Sequence, residues 1–372
     1  MTQNHVFVFL EIFAQEGGIQ SYVKDILQAY LSLAKDFSNR YRAEVFLLRD
    51  EPGCQNLFET DSIQFHYLKT LPPWKGRLKL TLSLLTCLIQ RRPQQVFCGH
   101  IKLAPLIKTL CQPLGIPYTV LTYGKEVWEG LPTQQRQALQ KASAIWTISR
   151  YSRDRLCQAN KIELSKIQIL PCVVDGNLFF PDAKPIALIE KYGLANAKVL
   201  MTVARLWSGD IYKGVDVTIR ALPKIAQMFP EIKYLVIGRG DDRPRLAQLA
   251  KELGVADRVI FAGFIPTEAL VEHYRVADAY IMPSQEGFGI VYLEAMACGI
   301  PVLGGNADGS ADPLQDGRLG WQVSHRDPEA VAAACLEILL GQDRRCQGQW
   351  LREQTLAKYS QEALRENLAQ LL

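Results

Sequence analysis

The sequence predicts an α/β protein with two doubly wound parallel sheets, each in a domain of its own. Short apolar runs alternate with segments of helical periodicity in both halves of the chain, which is the pattern of βαβ units. The chain has 372 residues, more than a single hydrophobic core usually organises. A stretch rich in turn residues, 169–185, lies between the two halves and predicts the domain boundary.

The first half begins with a strand, a glycine-containing turn and a helix. HVFVFLEIF (5–13) is apolar enough for a buried strand, and helical periodicity follows over 19–37. Further strands are predicted in AEVFLLRD, QQVFCGH, PYTVLTYG and AIWTISR. We expect a first domain over 1–175, and a final helix, about 358–372, that packs back on it is consistent with this layout.

The second half repeats the alternation. Its strands are predicted in AKVLMTVARL, IKYLVIGRG, RVIFAGF, AYIMPS and IPVLGG, with helical segments between them. We therefore expect a second domain over 176–357. The C-terminal residues, WLREQTLAKYSQEALRENLAQLL, predict one or two amphipathic helices.

Composition and cysteine usage exclude several classes of protein. The apolar content of 48% and the charged content of 22% are ordinary for a globular protein. The nine cysteines form no Cys-x-x-Cys pair and the five histidines are dispersed, which argues against a disulfide framework and a zinc site. No apolar run is long enough for a transmembrane helix, and the N-terminus has no basic region of a signal peptide. We expect a cytoplasmic protein.

The charge is distributed unevenly. Residues 1–177 hold 21 Lys+Arg against 14 Asp+Glu, whereas 178–372 hold 21 against 24. Between Asp61 and Glu126 there is no acidic residue, while nine Lys or Arg occur. Within this segment, 71–93 has an apolar helical pattern with cations at both ends. Two interpretations stay open: a core helix with solvated basic ends, or a surface that rests on an anionic membrane, peripherally at its inner face.

Two cations are predicted at the carboxyl end of one strand of the second half. Arg205 ends a strand, and Lys213 lies in the loop before the next helix. The segment 286–289, Glu-Gly-Phe-Gly, follows another strand and precedes a helix. Ligands bind beyond the carboxyl ends of parallel strands, and the amides at a helix N-terminus attract anions. Taken singly, these residues are also consistent with surface charges; together they predict a diphosphate site.

A second carboxylate lies inside the helix that follows. Glu294 comes eight residues after Glu286, and a carboxylate there can accept hydrogen bonds from two vicinal hydroxyls, as on a ribose. No Asp-x-Asp pair occurs in the chain. We therefore expect the protein's own cations, and no metal ion or other cofactor, to neutralise the phosphates.

These motifs resemble the donor-binding half of family 4 retaining glycosyltransferases of the GT-B fold. The resemblance rests on the two glutamates in PSQEGFGIVYLEAMACGIPV, on VARL…YKG upstream, and on VIGRGD between them. EGGIQ is similar to the family's N-terminal glycine loop, and LPCVVDGNLFFP to its interdomain motif. The resemblance implies two Rossmann-like domains that face a central crevice.

The resemblance also implies a role for each matched residue. Glu286 would contact the hydroxyls of the donor sugar, and Arg205 and Lys213 would neutralise the diphosphate, which makes these three the implied catalytic set. Glu294 would bind the ribose, and the backbone at Ile265 would meet the base. The implied donor-binding set is Gly17, Gly18, Tyr123, Ile265, Gly287, Phe288, Gly289, Ile290 and Glu294.

The chain departs from the family at one position. Members commonly carry a histidine near the donor sugar after the strand that here reads YTVLTYGKEVW, and this chain has Tyr123 there. A tyrosine can donate a hydrogen bond, but it cannot replace an imidazole as a base near neutral pH. His100 and Glu126 are acceptor-side candidates, and a structural histidine is an equal alternative for His100. In the family's front-face mechanism the leaving diphosphate takes the acceptor proton, so no strong enzymatic base is required.

The expected function is metal-independent retaining hexosyl transfer from a nucleotide diphosphate sugar to an acceptor hydroxyl in glycan, polysaccharide or glycolipid synthesis. Family frequency puts UDP-sugars, UDP-glucose first, ahead of GDP-sugars; no nucleic-acid partner is expected. One alternative is a GT-B sugar-nucleotide epimerase, which requires a tuned acid–base set in the first domain. The other is a subunit that binds the donor without transfer, for which Tyr123 is the support. An assay of donor hydrolysis distinguishes a transferase from such a subunit, because a pure binding subunit releases no nucleoside diphosphate.

Overall fold

The computed structural model describes residues 3–15, 17–36 and 40–372. The chain divides into two units, each with its own parallel sheet. The first unit runs to Val173 and also takes in Gln361–Leu372, and the second unit is Val174–Ser360. The division falls inside the turn-rich stretch 169–185.

The described part of the first unit contains a seven-stranded parallel sheet. Its strands are β1 (Gln3–Phe9), β2 (Tyr41–Leu47), β3 (Ile63–Tyr67), β4 (Gln95–Cys98), β5 (Tyr118–Thr122), β6 (Ala144–Thr147) and β7 (Ile167–Ile169). The spatial order is β3-β2-β1-β4-β5-β6-β7. Central strands such as β1, in which Val6 to Phe9 are all buried, are covered by helices on both faces and so read as continuous apolar runs.

Helices connect these strands as crossovers. They are α1 (Gly18–Asp36), α2 (Pro73–Arg91), α3 (Ala104–Cys111), α4 (Thr133–Lys141) and α5 (Arg150–Asn160). In α1 the apolar positions recur every three or four residues, and that face is buried. Aromatic side chains fill the core against the sheet, where the rings of Phe7 and Phe97 stack 4.7 Å apart.

The second unit contains a six-stranded parallel sheet. Its strands are β8 (Lys198–Val203), β9 (Ile232–Ile237), β10 (Val259–Gly263), β11 (Ala279–Ile281), β12 (Val302–Gly305) and β13 (Trp321–Val323). Their spatial order is β10-β9-β8-β11-β12-β13. The helices of this unit are α6 (Ile186–Tyr192), α7 (Val215–Met228), α8 (Arg243–Glu252), α9 (Thr267–Val276), α10 (Ile290–Ala297), α11 (Pro328–Leu340) and α12 (Gly348–Tyr359).

One last helix, α13 (Gln361–Leu371), belongs to the first unit. It packs against α1, with Leu364 and Leu368 buried. The Gln361 side-chain amide donates to the carboxylate of Asp25 at 2.6 Å. The chain thus enters the second unit and returns to the first for its last helix.

The doubly wound α/β class predicted from the sequence is confirmed. Three strands escaped prediction: β3, β7 and β13. Each lies at an edge of its sheet, and β7 and β13 have only three residues. Edge strands are covered less completely, so they lack the continuous apolar run that marks a central parallel strand. In the described part of the chain, no helix combines the length and the apolar content needed to cross a bilayer.

Candidate active site

In the second unit, three loops meet at the carboxyl edge of the sheet. They follow β8, β11 and β12, which are neighbours in the spatial order. Because the strands are parallel, their carboxyl ends lie at one edge, where ligands of such sheets bind. The sequence-predicted residues Arg205, Lys213 and Glu286 all lie on these loops.

Glycines allow the three loops to approach each other closely. Gly214 has a φ of 76°, and a Cβ there would lie 2.5 Å from the carbonyl oxygen of Pro283 in the loop after β11. A Cβ on Gly309, after β12, would lie 2.0 Å from the carbonyl oxygen of Gly287. Any side chain at either position would push the loops apart, so the glycines set the spacing of the charged groups.

Lys213 and Glu286 form an ion pair at the centre of this edge. Lys213 ends a short 3-10 segment, Ser208–Lys213, and Glu286 lies in the loop after β11. Both are largely enclosed, with side-chain exposures of 16% and 15%. Burial acts to lower the pKa of Lys213, but the neighbouring carboxylate of Glu286 outweighs it, and the pKa lies above its ordinary value. Lys213 therefore stays protonated at neutral pH.

Asp308 fixes the backbone that carries Glu286. Its buried carboxylate accepts hydrogen bonds from the backbone amides of Glu286 and, at 3.0 Å, of Ser310. Burial raises the pKa of Asp308 to about 6, although these bonds oppose the shift. Asp308 was not selected from the sequence. Its only signal is the Asp-Gly-Ser turn that begins three residues after a predicted strand, where an aspartate commonly accepts from nearby amides such as that of Ser310.

Arg205 is held differently from Lys213. Its guanidinium forms an ion pair with Asp210 at 2.9 Å, and it lies over the ring of Trp207 at 4.8 Å. The Arg205 side chain is 57% exposed. The pairing orients a cation at the edge of the site and leaves much of it accessible to solvent. Trp207 and Asp210 were not selected from the sequence, because their partner is defined only by the folded loop.

The segment 287–290 leads from the loop into α10. The Phe288 side chain is buried and meets the ring of Tyr359 edge-on at 5.8 Å. Only the backbone of Phe288 is therefore available to a ligand. Gly289 precedes Ile290, the first residue of the helix, so the first amides of α10 lie beside the Glu286 loop, where a helix N-terminus favours negative charge.

Glu294 lies one turn inside α10 and is partly buried. The hydroxyl of Tyr274, on α9, donates to its carboxylate at 2.7 Å. Burial raises the pKa of Glu294 to about 7, against the effect of that hydrogen bond. The protonated and ionised forms are therefore both populated near neutral pH. Tyr274 was not selected from the sequence.

Ile265 follows β10, at the far end of the same edge from β12. Its neighbour Phe264 is 53% exposed, and the guanidinium of Arg239, from the loop after β9, lies 4.9 Å from the Phe264 ring. An exposed aromatic ring with a stacked guanidinium presents a flat surface beside the backbone of Ile265.

Gly17 and Gly18 belong to the first unit: Gly17 ends the loop after β1, and Gly18 is the first residue of α1. Asp50, buried after β2, accepts hydrogen bonds from the amides of Ile12, Phe13 and Ala14 at 2.6, 3.0 and 2.6 Å. These bonds fix the described part of the loop that leads to the glycine pair. No described atom lies within 4 Å of a Cβ placed on Gly18, so packing does not demand glycine there. Asp50 was not selected from the sequence.

Tyr123 and Glu126 hold the turn after β5. The Tyr123 hydroxyl donates to the carbonyl of Gly99 at 2.6 Å, and its ring meets Tyr22 edge-on at 5.8 Å. The carboxylate of Glu126 accepts the backbone amide of Tyr123, and burial raises the pKa of Glu126. The proton of the Tyr123 hydroxyl is thus used inside the first unit, and contact with a sugar would require it to change partner.

His100 follows β4 and is partly buried. The backbone amide of Lys102 donates to its Nδ1 at 3.0 Å. Burial lowers the pKa of His100 to about 4, with help from the charges of Lys102 and Arg49. The ring is therefore neutral at pH 7, and with Nδ1 accepting, its proton lies on Nε2. His100 presents a hydrogen-bond donor rather than a base.

The second unit thus brings together Arg205, Lys213, Glu286, the segment 287–290 and Glu294, with Ile265 farther along the edge. The remaining candidates, Gly17, Gly18, His100, Tyr123 and Glu126, lie in the first unit.

Comparison with known proteins identifies the family. A family model described as glycosyl transferases group 1 matches residues 197–340, within the second unit. The GDP-mannose-dependent alpha-(1-6)-phosphatidylinositol monomannoside mannosyltransferase of Mycobacterium tuberculosis is 33% identical over 265 residues, which cover 68% of each chain. The chain belongs to the family 4-type GT-B glycosyltransferases. The expected family resemblance is confirmed, and glycosyl transfer is the activity of this class.

Other members of the family extend the match. The mannosyltransferase of the same description from Mycolicibacterium smegmatis is 36% identical, over 59% of this chain and 59% of its own length. The D-inositol 3-phosphate glycosyltransferase of Acidothermus cellulolyticus is 29% identical, over 87% of this chain and 78% of its own. The chain therefore matches between three fifths and four fifths of the length of these glycosyltransferases.

Solved structures agree on the fold. HepE of Anabaena, crystallised with UDP, has a TM-score of 0.77 and 19% identity, covering 100% of this chain and 99% of its own. Sucrose-phosphate synthase from Thermosynechococcus elongatus has a TM-score of 0.77 and 21% identity, covering 99% and 98%. At these identities the likeness concerns the GT-B fold alone, which was the fold expected from the sequence.

Proposed function

We propose that this chain is a retaining glycosyltransferase that moves a hexose from a nucleotide diphosphate sugar to an acceptor hydroxyl. The observation that carries the proposal is the enclosed pair of Lys213 and Glu286 at the carboxyl edge of the second sheet, with Arg205 on the same loop as Lys213. A diphosphate sugar offers each group a new partner: its phosphates match the cations, and its sugar hydroxyls match the carboxylate.

In this proposal the two cations stabilise the leaving group. The bond between the anomeric carbon and the phosphate oxygen breaks, and negative charge grows on the diphosphate as the bond to the acceptor oxygen forms on the same face. The acceptor proton passes to the departing phosphate. Lys213 stays charged because its pKa is raised, and fixed cations aimed at developing charge are an effective form of catalysis. We propose that they serve here without a resident metal ion.

The nucleoside would be held by the residues farther along the edge. Glu294 would accept the two ribose hydroxyls, and the backbone at Ile265 would meet the base. The amides from Gly287 to Ile290 would receive sugar and phosphate at the N-terminus of α10.

The donor and acceptor are proposed by analogy with the relatives. UDP-glucose, expected first from the sequence, is the ligand of another HepE crystal, at 19% identity. The more similar sequences are described as GDP-mannose-dependent, so we rank GDP-mannose first and UDP-glucose second. The mannosyltransferase relative and the D-inositol 3-phosphate glycosyltransferase relative are both named after a phosphorylated inositol compound. We propose a phosphorylated polyol, free or lipid-linked, as the acceptor class.

The test has two stages. The purified chain is first melted with GDP, UDP, GDP-mannose and UDP-glucose, because a ligand that binds only the folded state raises the melting temperature by mass action. The preferred donor is then incubated with inositol phosphate and with phosphatidylinositol, and nucleoside diphosphate release and product linkage are measured. Transfer with retention supports the proposal. Donor binding without nucleoside diphosphate release would leave only a binding subunit, and an epimerised nucleotide sugar without an acceptor would identify an epimerase.

A further inference from the structure

Helix α2 carries apolar residues on two opposite sides. Gly76, Leu80, Leu84 and Leu88 recur every four residues and are buried. A second row lies on the solvent side: Trp74, Leu78, Leu82 and Ile89 are between 51% and 59% exposed. The first three are four residues apart and Ile89 lies two turns beyond Leu82, so they share one side of the helix.

An exposed apolar row of this length is unusual on a surface helix. Such a helix normally presents charged or polar residues on the side opposite the core. Single exposed leucines are common, but a contiguous apolar patch marks a site of interaction. Leu71, 86% exposed, lies just before α2 and extends the patch at its N-terminal end.

Positive charges flank this row. Lys75, Arg77 and Lys79 are exposed and alternate with the apolar residues of the first turns, and Arg92 is exposed at the C-terminal end. The ammonium of Lys75 lies 5.9 Å from the Trp74 ring. The sequence contains no acidic residue from 62 to 125. Every charged side chain that this segment contributes to the patch is therefore positive.

We propose that this surface docks the first unit on an anionic lipid bilayer. We define the α2 surface as the apolar residues Leu71, Trp74, Leu78, Leu82 and Ile89 with the cations Lys75, Arg77 and Lys79. The helix would lie in the plane of the interface, with its apolar row at the level of the headgroups and upper acyl chains and its cations among the lipid phosphates. A tryptophan at the boundary of such a row suits the interface, where an amphipathic ring is stable.

The charge selects lipid over a second copy of this chain. A symmetric pairing of two α2 surfaces would bring the same cations against each other, and like charges disfavour such a contact. An anionic lipid surface complements the apolar row and the cations together. The proposal concerns lipid binding alone, so it is tested without donor or acceptor and is independent of the reaction proposed above.

The first experiment is co-sedimentation of the full chain with vesicles at low salt. One set contains phosphatidylcholine, and the other contains phosphatidylcholine with phosphatidylglycerol. We expect the chain to bind the anionic vesicles and to bind little to the neutral set. The bound chain should be released at about 1 M salt, because the Debye length there is only about 3 Å. Equal binding to both sets, or binding to neither, would overturn the proposal.

Charge reversal tests whether the cations are those of α2. The triple variant Lys75→Glu, Arg77→Glu and Lys79→Glu should weaken binding to anionic vesicles on the order of 100-fold or more, since each cation near such a surface contributes about fivefold. The control is Lys35→Glu, Lys141→Glu and Arg155→Glu, three exposed residues of the same unit with the same change in net charge. An equal loss in the control would show that the attraction comes from overall charge and not from α2.

Two further measurements test the apolar row. Leu78→Asn with Leu82→Asn should reduce vesicle binding, whereas Leu57→Asn with Leu164→Asn, which are more exposed and lie elsewhere in the unit, should not. Brominated acyl chains should quench the fluorescence of the wild type, and the quenching should be lost in Trp74→Phe. Quenching that persists in Trp74→Phe would contradict insertion at this helix. The proposal would be overturned if the wild type does not bind anionic vesicles and forms a dimer that dissociates in the variant Leu78→Asn with Leu82→Asn. That result would identify a second copy of this chain as the occupant of the α2 surface.

Discussion

The candidate polar groups of the two units are held in different ways. At the edge of the second sheet, candidate groups pair through side chains: Lys213 with Glu286 and Arg205 with Asp210. In the first unit, comparable groups are bound to the backbone: the Tyr123 hydroxyl donates to a carbonyl, and Asp50 accepts three amides. A ligand can replace one side chain of a pair, whereas the backbone bonds hold loops in place. The difference separates polar groups that can exchange their partner for a ligand from groups that hold a loop in position, and Asp308 of the second unit belongs with the latter.

This comparison gives the ion pair of the second unit a specific meaning. A buried pair is weak evidence for stability, because desolvation offsets much of the attraction. An enclosed Lys and Glu at a ligand-binding edge are better understood as two binding groups that pair with each other in the absence of ligand. When the donor binds, its diphosphate becomes the partner of the Lys and its sugar becomes the partner of the Glu.

The largest effect is expected at the Lys213 and Glu286 pair. Lys213→Ala should lower kcat by roughly 10²- to 10³-fold, because a fixed positive group beside the leaving phosphate is lost. Glu286→Gln should lower kcat by about 10²-fold and leave the affinity for free nucleoside diphosphate nearly unchanged, since the carboxylate faces the sugar. Steady-state kinetics and calorimetric titration with the diphosphate measure the two quantities.

The second unit offers a matched control for this pair. Lys224 and Glu329 form another Lys–Glu ion pair, which is exposed and outside the site. Lys224→Ala and Glu329→Gln should leave kcat unchanged, because an exposed pair contributes little. If Glu286→Gln weakens diphosphate binding as much as it weakens transfer, the assigned role of Glu286 is wrong.

A smaller effect is expected for Arg205. Arg205→Ala should lower kcat/KM by about tenfold, less than Lys213→Ala, because solvent screens an exposed cation more than an enclosed one. The variant also leaves Asp210 without its ion pair, so Arg205→Ala with Asp210→Asn is measured beside it. Recovery of activity in the double variant would show that Asp210, and not the lost cation, caused the defect.

Glu294 makes nucleotide affinity depend on pH. Its pKa is raised to about 7, and the ionised carboxylate is the form that accepts both ribose hydroxyls. The affinity for nucleoside diphosphate should therefore rise with pH, on the order of tenfold between pH 6 and 8. The effect of this titration on folding stability has the opposite sign. Because the folded pKa lies above the unfolded value of 4.5, stability falls as pH rises from about 4.5 to about 7.

The variant Glu294→Gln separates this effect from other titrations. In this variant the affinity for nucleotide should be nearly constant from pH 6.5 to 8. The range starts at pH 6.5 because Asp308, with a pKa of about 6, becomes protonated below it. A pH dependence that is the same in wild type and variant would remove Glu294 from the ribose site.

The smallest effect on transfer is expected for Tyr123. Tyr123→Phe removes the bond to the Gly99 carbonyl and should reduce stability by about 1 kcal/mol, seen as a lower melting temperature. Transfer should change little, because the hydroxyl serves its own unit. A fall in kcat/KM of about tenfold or more, with the donor affinity reduced, would instead show a direct bond to the sugar.

The sequence predicted best what depends on local pattern. Continuous apolar runs predicted the central strands, and the periodicity over 19–37 matches α1 (Gly18–Asp36). Arg205, Lys213 and Glu286 could be selected because the end of a parallel strand is visible in the sequence, and the ends of neighbouring strands must meet. Only the folded structure could show that Lys213 and Glu286 form a pair.

Residues that act through distant backbone could not be predicted. Asp50 lies 36 to 38 residues from the amides it accepts, and Asp308 lies 22 from the amide of Glu286. An aspartate after a strand looks the same in sequence whether it caps its own turn or holds a remote loop. Tyr274 meets Glu294 because α9 packs beside α10, a relation that no local spacing contains.

The position of α13 in the chain has a consequence for synthesis. The helix completes the first unit against α1, yet all of Val174–Ser360 is translated before it. Until then the nascent first unit leaves uncovered the face of α1 on which Leu364 and Leu368 will dock, and exposed apolar surface on a growing chain favours wrong association. The unit that leaves the ribosome first is therefore the one that is finished last.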